Sequence, residues 1–255
     1  MTASANLSAW ALSGIPLIHP GDNLCDIILH AVKHAGLTLH DHDALVVSSK
    51  IVSKSEGRYV NLAEIVPSQR AIAVAMETKK DPRVVELVLR ESRLVSRQAP
   101  NVLIVEHRLG FVSANAGIDQ SNIEDGDDQV LLLPVDPDRS ADELRTCIRE
   151  RTNKEVAVII SDTHGRPFRR GNVGVAIGVS GMQAVQDLRG HYDLYGRELR
   201  VTMQGFADLV ASAAHLLCGE ADEGRPVVLM RGLNYPVGEG RASHLNRDPG
   251  QDLYR

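Results

Sequence analysis

Short, continuous apolar segments are the feature that most restricts how this chain folds. The clearest are Ala44 to Val47, Val130 to Leu133, Val156 to Ile160 and Val227 to Met230. Segments of this length are typical of buried β-strands, and they are far shorter than the roughly 18 residues of a membrane-spanning helix. The sequence therefore predicts a core built on buried strands and no association with a membrane.

Helix-period patterns lie between these segments at irregular intervals. They cover residues 22–36, 68–80, 82–97, 140–152 and 206–217. Asp22 or Asn23 can cap the first of these helices, and Asp81 followed by Pro82 is a typical helix start. Because strands and helices do not alternate regularly, the order predicts an α+β fold with mixed sheets and flanking helices.

Length, charge and cysteine content narrow the possible classes of protein. The 255 residues suffice for one large domain or two small, closely packed or interleaved ones, and we expect residues 1–255 to form a single unit. A net charge of −5 disfavours nonspecific binding to nucleic acid. Cys25, Cys147 and Cys218 are far apart in the sequence, so we expect neither a disulfide framework nor a CxxC metal site. These features predict a cytoplasmic protein.

Common nucleotide-binding and hydrolase motifs are absent from the sequence. It contains no Walker A loop, no GxGxxG, no HExxH and no GxSxG. If the chain uses a nucleotide, it does so in a fold outside the P-loop and Rossmann types.

Two polar clusters follow predicted strands. Ser48, Ser49 and Lys54 combine hydroxyl groups with a cation, which suits the oxygens of a phosphate group. Asp119 and Asn122 lie in a glycine-containing loop, where short side chains and backbone amides can approach one ligand. The alternative in both cases is an exposed polar turn.

A third cluster offers both carboxylate and guanidinium groups. Asp162 and Thr163 directly follow a predicted buried strand, and Arg166, Arg169 and Arg170 come shortly after them. Carboxylate and hydroxyl oxygens are ligands for hard cations such as magnesium or manganese, and arginines bind phosphate or carboxylate groups. Taken together, the three clusters predict metal-assisted phosphoryl chemistry. A kinase, a hydrolase and a ligase all remain open at this point.

Three longer segments resemble the coenzyme F420 γ-glutamyl ligase family. They are VVSSKIVSKSEGR at residues 46–58, ANAGIDQSN at 114–122 and ISDTHGRPFRRGNVGVAIGVSGM at 160–182. GIPLIHPGD near the N-terminus and DLRGHYDLYGRELRVT after residue 186 are also similar. The resemblance thus spans essentially the whole chain in the order typical of the family.

This resemblance implies a GTP-dependent ligase. Such an enzyme joins L-glutamate to the lactyl carboxylate of coenzyme F420-0 through an acyl phosphate and then extends a γ-linked glutamyl tail. The resemblance also implies a divalent metal ion (manganese or magnesium), a potassium ion, and an intertwined homodimer with a fold of its own.

The resemblance assigns roles to individual residues. Its metal-binding positions are Asp119, Asp162 and Thr163, and Lys54 joins the two aspartates as a catalytic residue. The nucleotide-binding positions are Ile15, Pro16, Leu17, Ile18, Ser48 or Ser49, Lys54, Asn122 and Gln204. From their chemistry rather than from the resemblance, Arg166, Arg169 and Arg170 are expected to bind phosphodiester or glutamate carboxylate groups of the substrate.

Two alternatives to a ligase remain. They are a metal-dependent phosphohydrolase and a noncatalytic nucleotide-binding protein. Some relatives carry a further C-terminal flavin-binding domain; because this chain ends at Arg255, we expect it to lack that domain.

Overall fold

The structure is a computed structural model that describes residues 6–120 and 128–252. Its α-helices are α1 (Leu24–His34), α2 (Ser49–Ser55), α3 (Gln69–Thr78), α4 (Pro82–Arg90), α5 (Pro137–Thr152) and α6 (Phe206–Cys218). Its β-strands are β1 (Ser8–Ala11), β2 (Ala44–Ser48), β3 (Tyr59–Asn61), β4 (Ser92–Ala99), β5 (Val102–His107), β6 (Val112–Ala114), β7 (Gln129–Leu131), β8 (Ala157–Arg166), β9 (Arg169–Ser180), β10 (Gln186–Asp187), β11 (Met203–Gln204) and β12 (Val227–Arg231).

A central sheet contains five strands in the order β1-β12-β2-β8-β9. Strands β2 and β8 are parallel, with Val47 opposite Ile160 and Ser48 opposite Ser161, and the other neighbours are antiparallel. Smaller sheets pair β4-β5-β6, β3-β7 and β10-β11. The mixed strand directions and the irregular order of helices confirm the predicted α+β class.

Helices cover both faces of the central sheet. Alternate residues of a strand point to opposite faces, so Leu45 and Val47 face the core that includes α1 and α5, whereas Ala44 and Val46 face α6. All four side chains are fully buried. Burial on both faces explains why β2 is continuously apolar rather than alternating.

A second hydrophobic cluster lies around helices α3 and α4. Val85 and Val88 of α4 are fully buried together with Leu103 and Val105 of β5. Helix α4 ends at Arg90, although the predicted helix continued to Arg97, because the chain from Ser92 pairs with β5. Antiparallel pairing with an apolar strand therefore overrides the local helical pattern there.

Strand β8 extends further than predicted. The sequence predicted a strand ending at Ile160, but β8 continues to Arg166 because Thr163 pairs with Gly174 and His164 with Val173 of β9. A two-residue turn at 167–168 joins the strands. The third polar cluster therefore lies on a β-hairpin and not in a loop after a strand.

The expectation that the cysteines provide no disulfide is wrong for Cys25 and Cys147. Cys25 of α1 and Cys147 of α5 form a disulfide bond, with a Cα–Cα distance of 6.4 Å, while Cys218 is free. A sequence separation of 122 gives no local sign of this pairing, which arises because α1 and α5 pack on the same face of the central sheet.

An arm of residues 186–204 exposes several large apolar side chains. It begins with β10 and ends with β11, which pair with each other. Leu194 is fully exposed and Tyr195 is 87% exposed. None of the helices in the described part of the chain is long and apolar enough to cross a membrane.

Candidate active-site cleft

A cleft of about 790 Å³ opens at one edge of the central sheet. The parallel pairing of β2 and β8 places the carboxyl ends of both strands at this edge, a usual place for ligands in such sheets. Ser48 and Ser49 follow from β2, and Asp162 and Thr163 lie in the outer half of β8. The sheet thus brings two of the three predicted polar clusters together.

Ser48 and Ser49 have different partners. The Ser48 side chain caps α2 by accepting a hydrogen bond of 3.3 Å from the backbone N–H of Lys50. The buried Ser49 hydroxyl donates to Asp162 Oδ1 at 3.4 Å. Ser49 therefore connects α2 to the carboxylate on β8.

The Asp162 carboxylate also bonds to an imidazole. His164 Nε2 lies 3.1 Å from Asp162 Oδ2, and the His164 ring contacts the Phe111 ring with centroids 4.8 Å apart. His164 is buried, so it has little freedom to move away from the aspartate. This arrangement fixes the orientation of Asp162.

Asp119 reaches the cleft from the loop after β6. Its backbone pairs in both directions with Leu131 of β7, at 2.9 Å each. Its carboxylate forms an ion pair of 2.6 Å with Lys50 of α2. Because Lys50 and Ser49 are consecutive, α2 contacts both candidate metal-binding carboxylates.

Gly117 allows this loop to approach β8. Its φ is +65°, and a Cβ there would lie only 2.7 Å from Leu133 Cδ1 and 3.3 Å from Asp162 Oδ2. A side chain there would press against Leu133 and would be strained at this positive φ. Gly117, two residues before Asp119, therefore lets the loop lie close to Asp162.

Lys54 is buried in the last turn of α2 and lines the cleft. Lysine is seldom buried so completely without a specific role. Its position excludes the alternative that this segment is an exposed polar turn.

Most of the predicted site residues line this one cleft. They are Ile15, Pro16, Leu17, Ile18, Ser48, Ser49, Lys54, Asp119, Asp162 and Thr163.

Four other predicted residues lie elsewhere. Arg166, Arg169 and Arg170 are on the β8–β9 hairpin, and Gln204 is exposed in β11; none of them lines the cleft. The Arg166 guanidinium donates instead to the Arg170 carbonyl at 3.0 Å. Asn122 lies outside the described residues.

Three contributors to the cleft are not among the site residues predicted from the sequence. They are Lys50, His215 of α6 and the segment 218–226 between α6 and β12. That segment is polar, contains two glycines and directly precedes an apolar strand. The predicted clusters follow apolar strands, whereas this polar segment precedes one, and its position before β12 is the signal that marks it.

The donor groups suit a hard divalent cation only if phosphate oxygens complete the shell. Asp119, Asp162 and Thr163 supply two carboxylates and one hydroxyl, as magnesium and manganese prefer. In the described part of the chain no three His, Cys, Asp or Glu side chains group closely enough to hold a metal ion. The protein thus supplies few groups that can coordinate a metal ion. The nearby lysines can pair with phosphate groups, whose oxygens would complete the coordination shell. The donor groups that line this cleft match the chemistry of a phosphate-bearing ligand bound together with a divalent cation.

Comparison with known proteins identifies the family. The sequence profile described as F420-0:Gamma-glutamyl ligase matches residues 14–232. The chain is 47% identical to the coenzyme F420:L-glutamate ligase of Methanopyrus kandleri, across 98% of this chain and 99% of that protein. It is 46% identical to the enzymes of that name from Methanothermobacter thermautotrophicus (96% and 93% covered) and Archaeoglobus fulgidus (98% and 96%). The chain belongs to the F420-0:γ-glutamyl ligase family.

Proposed function

We propose that this protein is a GTP-dependent ligase that adds L-glutamate to coenzyme F420-0 and then extends the γ-linked tail. The observation that carries the proposal is the meeting of six separate sequence segments at one cleft, with carboxylates and lysines side by side. The names of the relatives, coenzyme F420:L-glutamate ligase, support the same reaction.

Amide formation from a carboxylate and an amine needs activation. In the proposed reaction, an oxygen of the F420-0 lactyl carboxylate attacks the γ-phosphorus of GTP, and the bond to GDP breaks. The amino group of glutamate, after losing a proton, then attacks the acyl carbon, and inorganic phosphate leaves. No nucleophile from the protein is needed, so its residues serve to position groups and to neutralise charge.

The lysines and the carboxylates of the cleft have different proposed roles in this reaction. Lys54 and Lys50 line the cleft and are placed to compensate the negative charge of the phosphates. Asp119, Asp162 and Thr163 would hold the divalent ion, manganese or magnesium, which neutralises phosphate charge when bound. Potassium remains a predicted cofactor without assigned ligands.

We assign the β8–β9 hairpin to substrate binding and the arm of residues 186–204 to contact with a second copy of the chain. We propose that Arg166, Arg169 and Arg170 bind anionic groups of F420-0 or of the glutamyl tail. We also propose that the exposed apolar side chains of the arm, among them Leu194 and Tyr195, are covered in a homodimer. Because GTP is a cytoplasmic nucleotide, we also propose a cytoplasmic location.

One assay separates this proposal from its alternatives. Purified protein is incubated with GTP, manganese, F420-0 and glutamate, and products are followed by mass spectrometry and by phosphate release. A ligase adds one or more glutamyl masses and releases phosphate only when both acceptor and glutamate are present. Phosphate release without glutamate supports the phosphohydrolase, and GTP binding without any turnover supports the noncatalytic protein.

A further inference from the structure

His215 occupies a fixed position between helix α6 and the central sheet. Its side chain is mostly buried, and its ring packs against Gly174 of β9, where a Cβ would overlap the ring. The hydroxyl of Ser212, one turn earlier, donates to the Gly174 carbonyl at 2.6 Å. The absence of a side chain at position 174 therefore creates the space in which the imidazole lies.

Both ring nitrogens of His215 face polar groups of the cleft. Nε2 shares a hydrogen bond of 3.3 Å with the hydroxyl of Ser161 on β8, directly before Asp162. Nδ1 lies 3.5 Å from Oε1 of Glu220, in the segment that follows α6. The imidazole thus spans from the strand that carries Asp162 to the opposite wall of the cleft.

The segment 219–226, which we name the rim loop, has internal order of its own. The Glu223 carboxylate lies over Gly219 and accepts a hydrogen bond of 2.9 Å from the backbone N–H of Ala221. Gly219 and Gly224 both have positive φ, at 75° and 62°. The Pro226 carbonyl accepts from the Ser48 backbone at 2.8 Å, which anchors the far end.

The end of the rim loop that follows α6 is positioned in part by side-chain contacts. Helix α6 ends at Cys218, and the glycine that follows permits several directions for the chain. At this point Glu220 lies 3.5 Å from His215 Nδ1, and the Gly219 N–H donates to the His215 carbonyl at 3.4 Å, so both contacts of the first loop residues lead to His215.

We propose that His215 is a positioning residue that holds the rim loop against the cleft and in a fixed relation to the Ser161–Thr163 part of β8. The placement of the loop can be tested without any substrate. The effect of loop position on catalysis rests on the proposed function, because it is measured as a change in the affinity for a nucleotide.

Cys218 provides a direct probe of the rim loop. Cys25 and Cys147 are bonded to each other, so Cys218 carries the free thiol. Burial, assisted by the charge of Glu220, raises the pKa of this thiol to about 11, so it should react slowly with a thiol reagent. A loosened loop would admit water and reagent, and the reaction would become faster.

The test measures the labelling rate of Cys218 by a chromogenic aromatic disulfide in nonreducing buffer. His215→Ala should raise the rate about ten-fold, since the hydrogen bond to Ser161 and the packing against the start of the rim loop are both lost. His215→Gln can retain the bond to Ser161, and His215→Asn can retain the contact with Glu220, so Asn should restore slow labelling better than Gln. Glu220→Gln also removes a charge that raises the pKa of Cys218, so its rate is compared per thiolate, from the pH dependence of labelling, and should rise about three-fold. Asp222→Asn is the matched control, with the same charge change in the same loop, and should have no effect.

Nucleotide kinetics give the second measurement. His215→Ala should raise the KM for GTP about ten-fold and change kcat less, because a disordered wall weakens binding before it alters chemistry. Unchanged labelling in both His215→Ala and Glu220→Gln would overturn the proposal, whatever the kinetics show. Faster labelling of the variants, in a protein whose wild type shows no glutamate-dependent turnover, would support the positioning role and refute the ligase.

Discussion

The ammonium group of Lys50 lies 2.6 Å from the carboxylate of Asp119, and this ion pair joins two of the three polar clusters. Both side chains are about three-tenths exposed, so the pair lies at the wall of the cleft and not in the core. The positive charge that a metal ion would bring to Asp119 is therefore supplied, without the metal, by a neighbouring lysine.

Lys50 should compete with the metal ion for Asp119. Replacing it in Lys50→Met should strengthen manganese binding in the absence of nucleotide by about five-fold, as one weak ionic competitor is removed. Titration calorimetry measures this affinity, and Lys33→Met, an exposed lysine on α1, serves as the control. Weaker or unchanged manganese binding would remove Lys50 from the metal site.

The two cleft aspartates should be indispensable for turnover. Asp119→Ala and Asp162→Ala should each lower kcat about 10³-fold or more while circular dichroism stays native, because each removes a proposed metal ligand. Thr163→Val should have a milder effect, since water can replace a neutral hydroxyl group. Normal turnover by either alanine variant at saturating manganese would exclude that aspartate from the site.

Lys54 should act more strongly on the transition state than on bound GTP. If its ammonium group stabilises charge that develops during phosphoryl transfer, Lys54→Met should lower kcat more than it weakens GTP binding. Steady-state kinetics combined with calorimetric GTP affinity make the comparison. A lysine that only positions GTP would weaken both in proportion, and no change in either would remove Lys54 from the site.

Glu91 should make stability depend on pH. Burial alone would raise its pKa, but contact with His107 and the charges of Arg108 and Arg58 outweigh burial and lower the pKa below the usual value. The ionised form therefore stabilises the fold above pH of about 4.3, and this contribution is lost as the pH falls through the lowered pKa.

Glu91→Gln tests this directly. At pH 7 it should lower the free energy of unfolding by about 2 kcal/mol, because cations near a mostly buried carboxylate lose their partner. The difference from wild type should shrink as the pH falls below 4, measured by urea unfolding. Glu64→Gln, at an exposed glutamate, should show no such trend. A difference that grows in acid would contradict the assignment.

The exposed arm should mediate dimerisation. Light scattering at micromolar concentration should give about twice the chain mass of 27.8 kDa. Leu194→Glu should shift the mass towards the monomer, because a charge would be buried at the interface, whereas Met76→Glu at an exposed site on α3 should not. A wild-type mass near 27.8 kDa would contradict the homodimer.

Local features of the fold were predictable from the sequence, and features that depend on distant pairing were not. The apolar segments gave β2 and β12 nearly to the residue, and Asp81 with Pro82 located the start of α4. Strand β4 was predicted as helix, because its own pattern does not show that β5 lies beside it. Pairing of this kind is a tertiary contact and leaves little local signal.

The same division applies to the cleft. Ser49, Lys54 and Asp162 were predicted from residue type and position after apolar segments. The ion pair of Lys50 with Asp119, and the imidazole of His215 beside Ser161, join residues that are remote in sequence. Chemical type predicts which groups can act together, whereas their actual partners are decided by the fold.

The bond between Cys25 and Cys147 encloses α2, α3, α4 and the Asp119 loop within one covalent ring. Any single protease cut between these two cysteines therefore leaves the fragments attached to each other. On a denaturing gel without reductant such a nicked chain migrates as one species, and a dithiol separates it into two. Backbone integrity in this half of the protein is thus visible only after reduction.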